Sequence, residues 1–217
     1  MSPEQHFISD RVLEQRALNL LLAYQRKRGQ RLTLPIVAEK VVQTVCELDI
    51  VWDRIPEPPG QTFLAGLDPS TRTIVLNEAR RQVFSETPGL QNTVLGHEGA
   101  HWELHADKGA ILQIPLDGIA SPLQHLFRHN SPKGNPQETQ AHRFMGYLLL
   151  PYDILKEAIE GVDLLSWPNL YRIREQFDVT ISALTIRLER LGLIHVPADG
   201  HLQRAPERSP GQQRLAL

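Results

Sequence analysis

Apolar residues recur at helical spacing in several separate stretches of the chain. From Arg11 to Arg28, Val12, Leu13, Ala17, Leu20, Leu21 and Tyr24 define one face, and Gly29 follows as a C-terminal cap. Arg26, Lys27 and Arg28 suit the negative end of that helix dipole and read as a solvated helix end. A second helix is expected over 36–48, with Pro35 in the first turn, where a missing N–H costs little. The pattern then changes period. Asp49 to Trp52 reads as a strand, and the β-rich runs 62–67 and 73–77 flank Asp68-Pro69-Ser70-Thr71, whose turn chemistry predicts a hairpin.

Helical periodicity returns around residues 94–105, where Val94, Leu95, Ala100 and Leu104 form an apolar stripe. The stretch 106–136 is irregular and broken by Pro115, Gly118, Pro122, Pro132 and Gly134. A loop of that length beside a functional helix is expected to wall a cleft or to move. A helix over 138–150 follows, with Ala141, Phe144, Met145, Leu148 and Leu149 on one side and Pro151 ending it; another is expected over 153–159. Residues 169–194 read as helix, turn, helix. Leu170, Ile173 and Phe177 form the first stripe, and Ile181, Leu184, Ile186, Leu188, Leu191 and Ile194 form the second. Thr180 or Ser182 caps the second helix and Gly192 closes it. From Pro197 onward the composition suits a flexible tail.

Composition removes several function classes. The chain has 217 residues, enough for one good core and a small second unit. A net charge of −2 supplies no global basic field, so bulk attraction to phosphate is not its main business. Cys46 is the single cysteine, so an intrachain disulfide is excluded and a Cys-ligated zinc site is not expected. The first residues lack the charged-then-apolar layout of a signal peptide, and no apolar run approaches the ~20 residues of a membrane span. A cytoplasmic location in a reducing compartment is the expectation.

The candidate chemistry lies in His97-Glu98-Gly99-Ala100-His101. Histidines four apart on a helix share a face with Cβ atoms roughly 5–6 Å apart, so both imidazoles reach one ion. Glu98 then projects beside them toward the water that such an ion activates, as a general base. The bland alternative is a buried helix that happens to carry histidines. Two histidines leave a tetrahedral zinc short of one protein ligand. Glu138, at the start of the helix after the long loop, is the leading candidate. His142, one turn later on the same face, is the alternative ligand or a residue that holds Glu138 in place. His105 continues the His97–His101 face, but three successive turns span about 12 Å at the helical rise, too far to converge on one ion. It is expected to support the site from outside the ligand set. His125 and His129 read as solvent-exposed unless the loop folds over the cleft. Zinc is the expected ion, and manganese is the alternative, because availability and geometry decide between them.

These motifs, in this order, resemble the ImmA/IrrE-type metallopeptidases that cleave repressor proteins. The resemblance spans most of 34–194: Leu34-Pro35-Ile36, the strand Ile74-Val75-Leu76-Asn77, and Leu95-Gly96-His97-Glu98-Gly99-Ala100-His101 followed by His105. It continues through Glu138-Thr139-Gln140-Ala141-His142-Arg143-Phe144 and Leu148-Leu149-Leu150-Pro151 to the segment 177–194. The resemblance implies zinc on His97, His101 and Glu138 with Glu98 as base. It also implies an α+β fold: a reduced zincin-like core with a small three-stranded antiparallel sheet packed on helices, then a helix-turn-helix-like segment. The corresponding boundaries are an N-terminal helix (1–30), the peptidase core (31–160), the helical segment (161–197) and a tail (198–217). The implied function is a zinc-dependent endopeptidase that cuts a DNA-binding transcriptional repressor at an exposed loop, relieving repression under stress or in phage or mobile-element induction. The alternative is a DNA- or protein-binding regulator whose metal site is structural or inactive. For DNA, Arg187 and Arg190 are offset by Glu189 and by the overall charge, so a groove-reading helix has little support.

Overall fold

The computed structural model describes residues 8–57, 59, 62–106 and 135–206. Helix α1 (Asp10–Arg28) buries Leu13, Ala17, Leu20 and Leu21, and Gly29 caps it in the left-handed region at φ 64°, its N–H bonded to the Gln25 carbonyl. Lys27 at its basic end donates to the Thr44 carbonyl at 2.9 Å. The next helix starts later than the proline signal suggests. Helix α2 spans Ala38–Val41 and widens into a π turn over Val42–Cys46. Pro35 and Ile36 lie outside it, because the buried Asn92 side chain, far along the chain, accepts from the Ala38 N–H and sets the start.

Three strands form the sheet: β1 (Asp49–Asp53), β2 (Ala65–Asp68) and β3 (Thr73–Asn77), in the order β1-β3-β2. The expected hairpin is present, with β2 antiparallel to β3 and the turn held by Asp68, whose Oδ1 accepts from the Ser70 N–H and hydroxyl. The sheet is not wholly antiparallel, however. β1 pairs parallel to β3, Ile50 opposite Ile74 and Trp52 opposite Leu76. The chain after β1 crosses to the far edge before turning back, and Asn77 holds the crossing. Its buried side chain accepts from the Ile55 N–H at 3.2 Å and donates to the Phe63 carbonyl at 2.8 Å.

A short helix α3 (Arg81–Glu86) leads to α4 (Leu90–His105), which carries the His-Glu-x-x-His sequence and packs against β2, α2 and α5 (Pro136–Leu149). Two glycines allow the close approach. A Cβ at Gly96 would lie 3.0 Å from the Leu149 side chain, and one at Gly99 only 2.6 Å from Val42. Helices α6 (Tyr152–Ile159), α7 (Trp167–Phe177) and α8 (Ile181–Arg190) complete the helical layer. As expected, α7 and α8 form a helix-turn-helix: Leu170, Ile173 and Phe177 pack on Ala183, Leu184 and Leu188 in the common core, and the Thr180 side chain caps α8.

Two details of this segment differ from the periodicity reading. Ile186 is half exposed, whereas Arg187 is buried, because Glu14 and the Leu150 carbonyl supply the acceptors its guanidinium needs. The stretch after Pro197 is fixed as far as Pro206: β4 (Ile194–His195) pairs antiparallel with β5 (Gln203–Arg204), and the Trp167 indole N–H donates to the Gly200 carbonyl at 3.0 Å. The expected cleft-walling loop over 107–134, with His125 and His129, and the end of the expected tail, 207–217, lie outside the described residues. No helix among the described residues is long and apolar enough to cross a membrane.

Candidate metal centre

The middle of α4 is buried on every side: His97, Glu98 and His101 are each no more than 1% exposed. The four-residue spacing brings the two imidazoles together, Nε2 to Nε2 at 3.0 Å. Across the helix interface, Asn135 caps α5 by accepting from the Gln137 N–H, and Pro136 occupies its first turn. That start places Glu138 opposite the histidines. Its Oε2 lies 3.2 Å from His97 Nε2 and its Oε1 3.4 Å from His101 Nε2. The three donor atoms fall within 4.8 Å of one another, and no other such group of ligating side chains occurs among the described residues.

The chemistry of this donor set suits a divalent ion of borderline softness: two neutral imidazoles and one carboxylate, the composition of three-ligand zinc sites that keep a position for substrate. Partial burial pushes the Glu138 carboxyl upward, but the hydrogen bonds from His101 and then His97 outweigh it and hold the group well below the usual carboxylate range. Glu138 is therefore an anion, as a ligand must be. Glu98 has the opposite bias. Complete burial, and then the negative charge of Glu138, push its carboxyl well above the ordinary value.

The remaining sequence candidates sit around this trio. The His142 ring lies 4.3 Å from that of His97, one helical turn beyond Glu138, and burial lowers its affinity for a proton. It does not join the converging donors. His105, a turn beyond His101, donates from Nε2 to the Gln137 carbonyl at 3.2 Å, tying the end of α4 to the residue before Glu138. Burial, followed by the charge of His101, pushes His105 down to about 4, which keeps it a neutral imidazole near neutrality.

A model of the IrrE N-terminal-like domain, a peptidase family, matches residues 54–189, from the chain just after β1 into α8. The chain belongs to the IrrE N-terminal-like peptidase family. No curated protein matches it. The IrrE N-terminal-like match contains both helices of the metal centre and the helix-turn-helix, while α1, α2 and β1 precede it. Those preceding elements contribute to the site all the same, since Val42 packs on Gly99 between His97 and His101, and Asp10 and Glu14 reach across to α5 and α8.

The polar cluster beside His142 escapes periodicity analysis. Arg143, Tyr147, Arg187 and Arg190 come together with Asp10 and Glu14 where α1, α5 and α8 meet. Its one legible signal is the pair Arg187 and Arg190, which the linear reading weighs only as a weakly supported DNA contact. The structure instead sets the Arg187 guanidinium 4.6 Å over the Tyr147 ring, at 2% side-chain exposure, where no groove reaches it.

Proposed function

We propose that the chain is a zinc-dependent endopeptidase that cuts a polypeptide, and specifically a transcriptional repressor at an exposed loop. One observation carries the reading: His97, His101 and Glu138 converge from two helices beside the buried Glu98, in a chain whose family is a peptidase family. The family supports a polypeptide as substrate class; the repressor rests on the resemblance of the ordered motifs. His97, His101 and Glu138 would hold the metal. A divalent ion on these donors supplies Lewis acidity, polarising a carbonyl and acidifying water.

The chain's own residues then divide the work. Glu98, with a proton affinity raised by burial, takes a proton on its carboxylate as water attacks the peptide carbonyl and passes it to the leaving amine. His105 holds the start of α5 against the end of α4 through the Gln137 carbonyl, so Glu138 faces the histidines in a set orientation. The alternative of a groove-reading regulator is disfavoured by the burial of Arg187 against Glu14.

Elemental analysis of the purified full chain tests the site. Wild type and Glu98→Gln should each carry about one zinc per chain, and Glu138→Ala and His97→Ala little. Peptide cleavage should be lost in Glu98→Gln. Wild type that takes up no metal when zinc or manganese is supplied would sink the peptidase reading.

A further inference from the structure

Helix α1 presents an outer face that the metal centre does not use. Its inner side packs on α5 and buries Leu13, Ala17, Leu20 and Leu21. At spacings of three and four residues the outer side carries Arg11, Gln15, Leu18, Leu22 and Arg26, all of them exposed. Leu18 and Leu22 stand one turn apart at 45% and 44% exposure. An open groove of about 800 Å³ begins at Leu22 and follows the end of the helix, lined by Asn19, Gln25, Arg26, Gln30 and Arg31 among others. The charge on this face has one sign. Both acids of α1 are turned inward: Asp10 pairs with Arg143 at 3.0 Å and Glu14 with Arg187 at 2.7 Å. Lys27 is drawn aside to Glu47 and the Thr44 carbonyl. Arg11, Arg26 and Arg31 have no ion pair among the described residues, and on a chain of net charge −2 they form a local positive field.

We propose that the outer face of α1 is a docking site for an acidic amphipathic helix of a partner protein. Such a helix lays a row of leucine-like side chains over Leu18 and Leu22 and into the groove, while Asp and Glu along its borders meet Arg11, Arg26 and Arg31. Its polar groups give hydrogen-bond partners to the amides of Gln25 and Gln30. Other occupants match the pattern less well. A second copy of this chain brings the same unpaired arginines together. Nucleic acid neutralises the arginines but sets Leu18 and Leu22 against phosphate, and a lipid surface presses the amides beside Leu22 toward hydrocarbon. The face is turned away from α5 and its Glu138, so the inference does not depend on peptide cleavage.

The test displays a library of sixteen-residue, alanine-based helical peptides on phage, with Leu, Glu, Gln and Lys allowed at eight positions. Selection is against full-length Glu98→Gln protein, so that no bound chain is cut. Glu should be enriched over both Gln and Lys by about tenfold, beside Leu residues three or four apart. Arg11→Glu combined with Arg26→Glu should switch the enrichment from Glu to Lys, a reversal that misfolding cannot imitate. Leu22→Ser should remove selection while leaving the urea midpoint unchanged, because that side chain is exposed. Equal recovery of Glu and Gln, an unchanged preference in the charge-reversed protein, or no selected sequence overturns the docking site. Phosphatidylcholine–phosphatidylglycerol vesicles and a DNA duplex of random sequence are assayed beside the library. Retention on either by the starting protein, lost on charge reversal and with no peptide selected, assigns the face to lipid or nucleic acid and overturns the proposal.

Discussion

Asn92 and Asp178, eighty-six residues apart, are joined by a hydrogen bond from the Asn92 side-chain amide to the Asp178 carbonyl at 3.0 Å. The same buried amide donates to the Ile36 carbonyl at 2.9 Å and accepts from the Ala38 N–H at 2.6 Å. Beside it, the Thr93 hydroxyl donates to the Gly89 carbonyl and accepts from the Thr180 N–H. The first turn of the ligand-bearing helix is thus bolted to the start of α2 and to the turn of the helix-turn-helix.

Replacing Asn92 with Ala strips its hydrogen bond from two buried backbone groups, the Ala38 N–H and the Ile36 carbonyl, and from the partly buried Asp178 carbonyl. Each carries a desolvation penalty of ~1 kcal/mol or more, so a loss of about 3 kcal/mol is expected. Urea denaturation should show this as a lower midpoint with little change in slope. Zinc stoichiometry in the folded variant should stay at wild-type level, because no ligand is touched.

Val42 packs directly against the backbone of α4 where Gly99 has no side chain. Gly99→Ala places a Cβ 2.6 Å from Val42 Cγ1, a degree of overpacking that costs about 1–3 kcal/mol. Val42→Ala in the same chain removes the obstructing methyl groups. A double-mutant cycle in thermal unfolding should therefore give a favourable coupling of ~1 kcal/mol. Additive losses would place the strain elsewhere.

Glu14 neutralises an arginine that has almost no water around it. Glu14→Ala should cost about 2 kcal/mol, less than a fully buried pair would because Glu14 itself is partly exposed. Pairing Glu14→Gln with Arg187→Met removes both charges and should recover most of that loss, since an apolar substitute of similar length fits the space over Tyr147. Chemical denaturation of the three proteins decides it.

Tyr147 supplies a pH dependence of known sign. Burial, and then the charge of Asp10, push its phenol from 10.0 up to about 12. The folded-state value is raised, so the contribution to stability is complete below about pH 10 and is lost as pH rises through about 12. Between those limits the unfolded chain sheds the proton that the folded chain keeps, a loss of about 3 kcal/mol. Stability measured across that window should fall less steeply in Tyr147→Phe, and ultraviolet titration should show one late-ionising tyrosine absent from the variant.

Most secondary structure and half of the metal centre were legible in the linear chain. Helical periodicity and the His97–His101 spacing are local properties: the 3.6-residue turn alone brings those imidazoles together, and turn chemistry alone closes the hairpin around Asp68. What lies between elements was not legible. Periodicity puts Glu138 and His142 on one face with Glu138 the leading candidate, and the crossing of α4 over α5 turns the carboxylate to both histidines and the His142 ring to the side. The same limit applies to β1, whose pairing direction depends on where the following chain crosses, and to Arg187, whose burial depends on a partner from α1. By itself the sequence determined most elements and the histidine pair, and marked Glu98 as the candidate base, because hydrogen bonds three or four residues apart and side-chain alternation need no distant partner. Tertiary packing decided which carboxylate meets the histidines, the strand order and which charges are buried, because those depend on contacts between residues tens of positions apart.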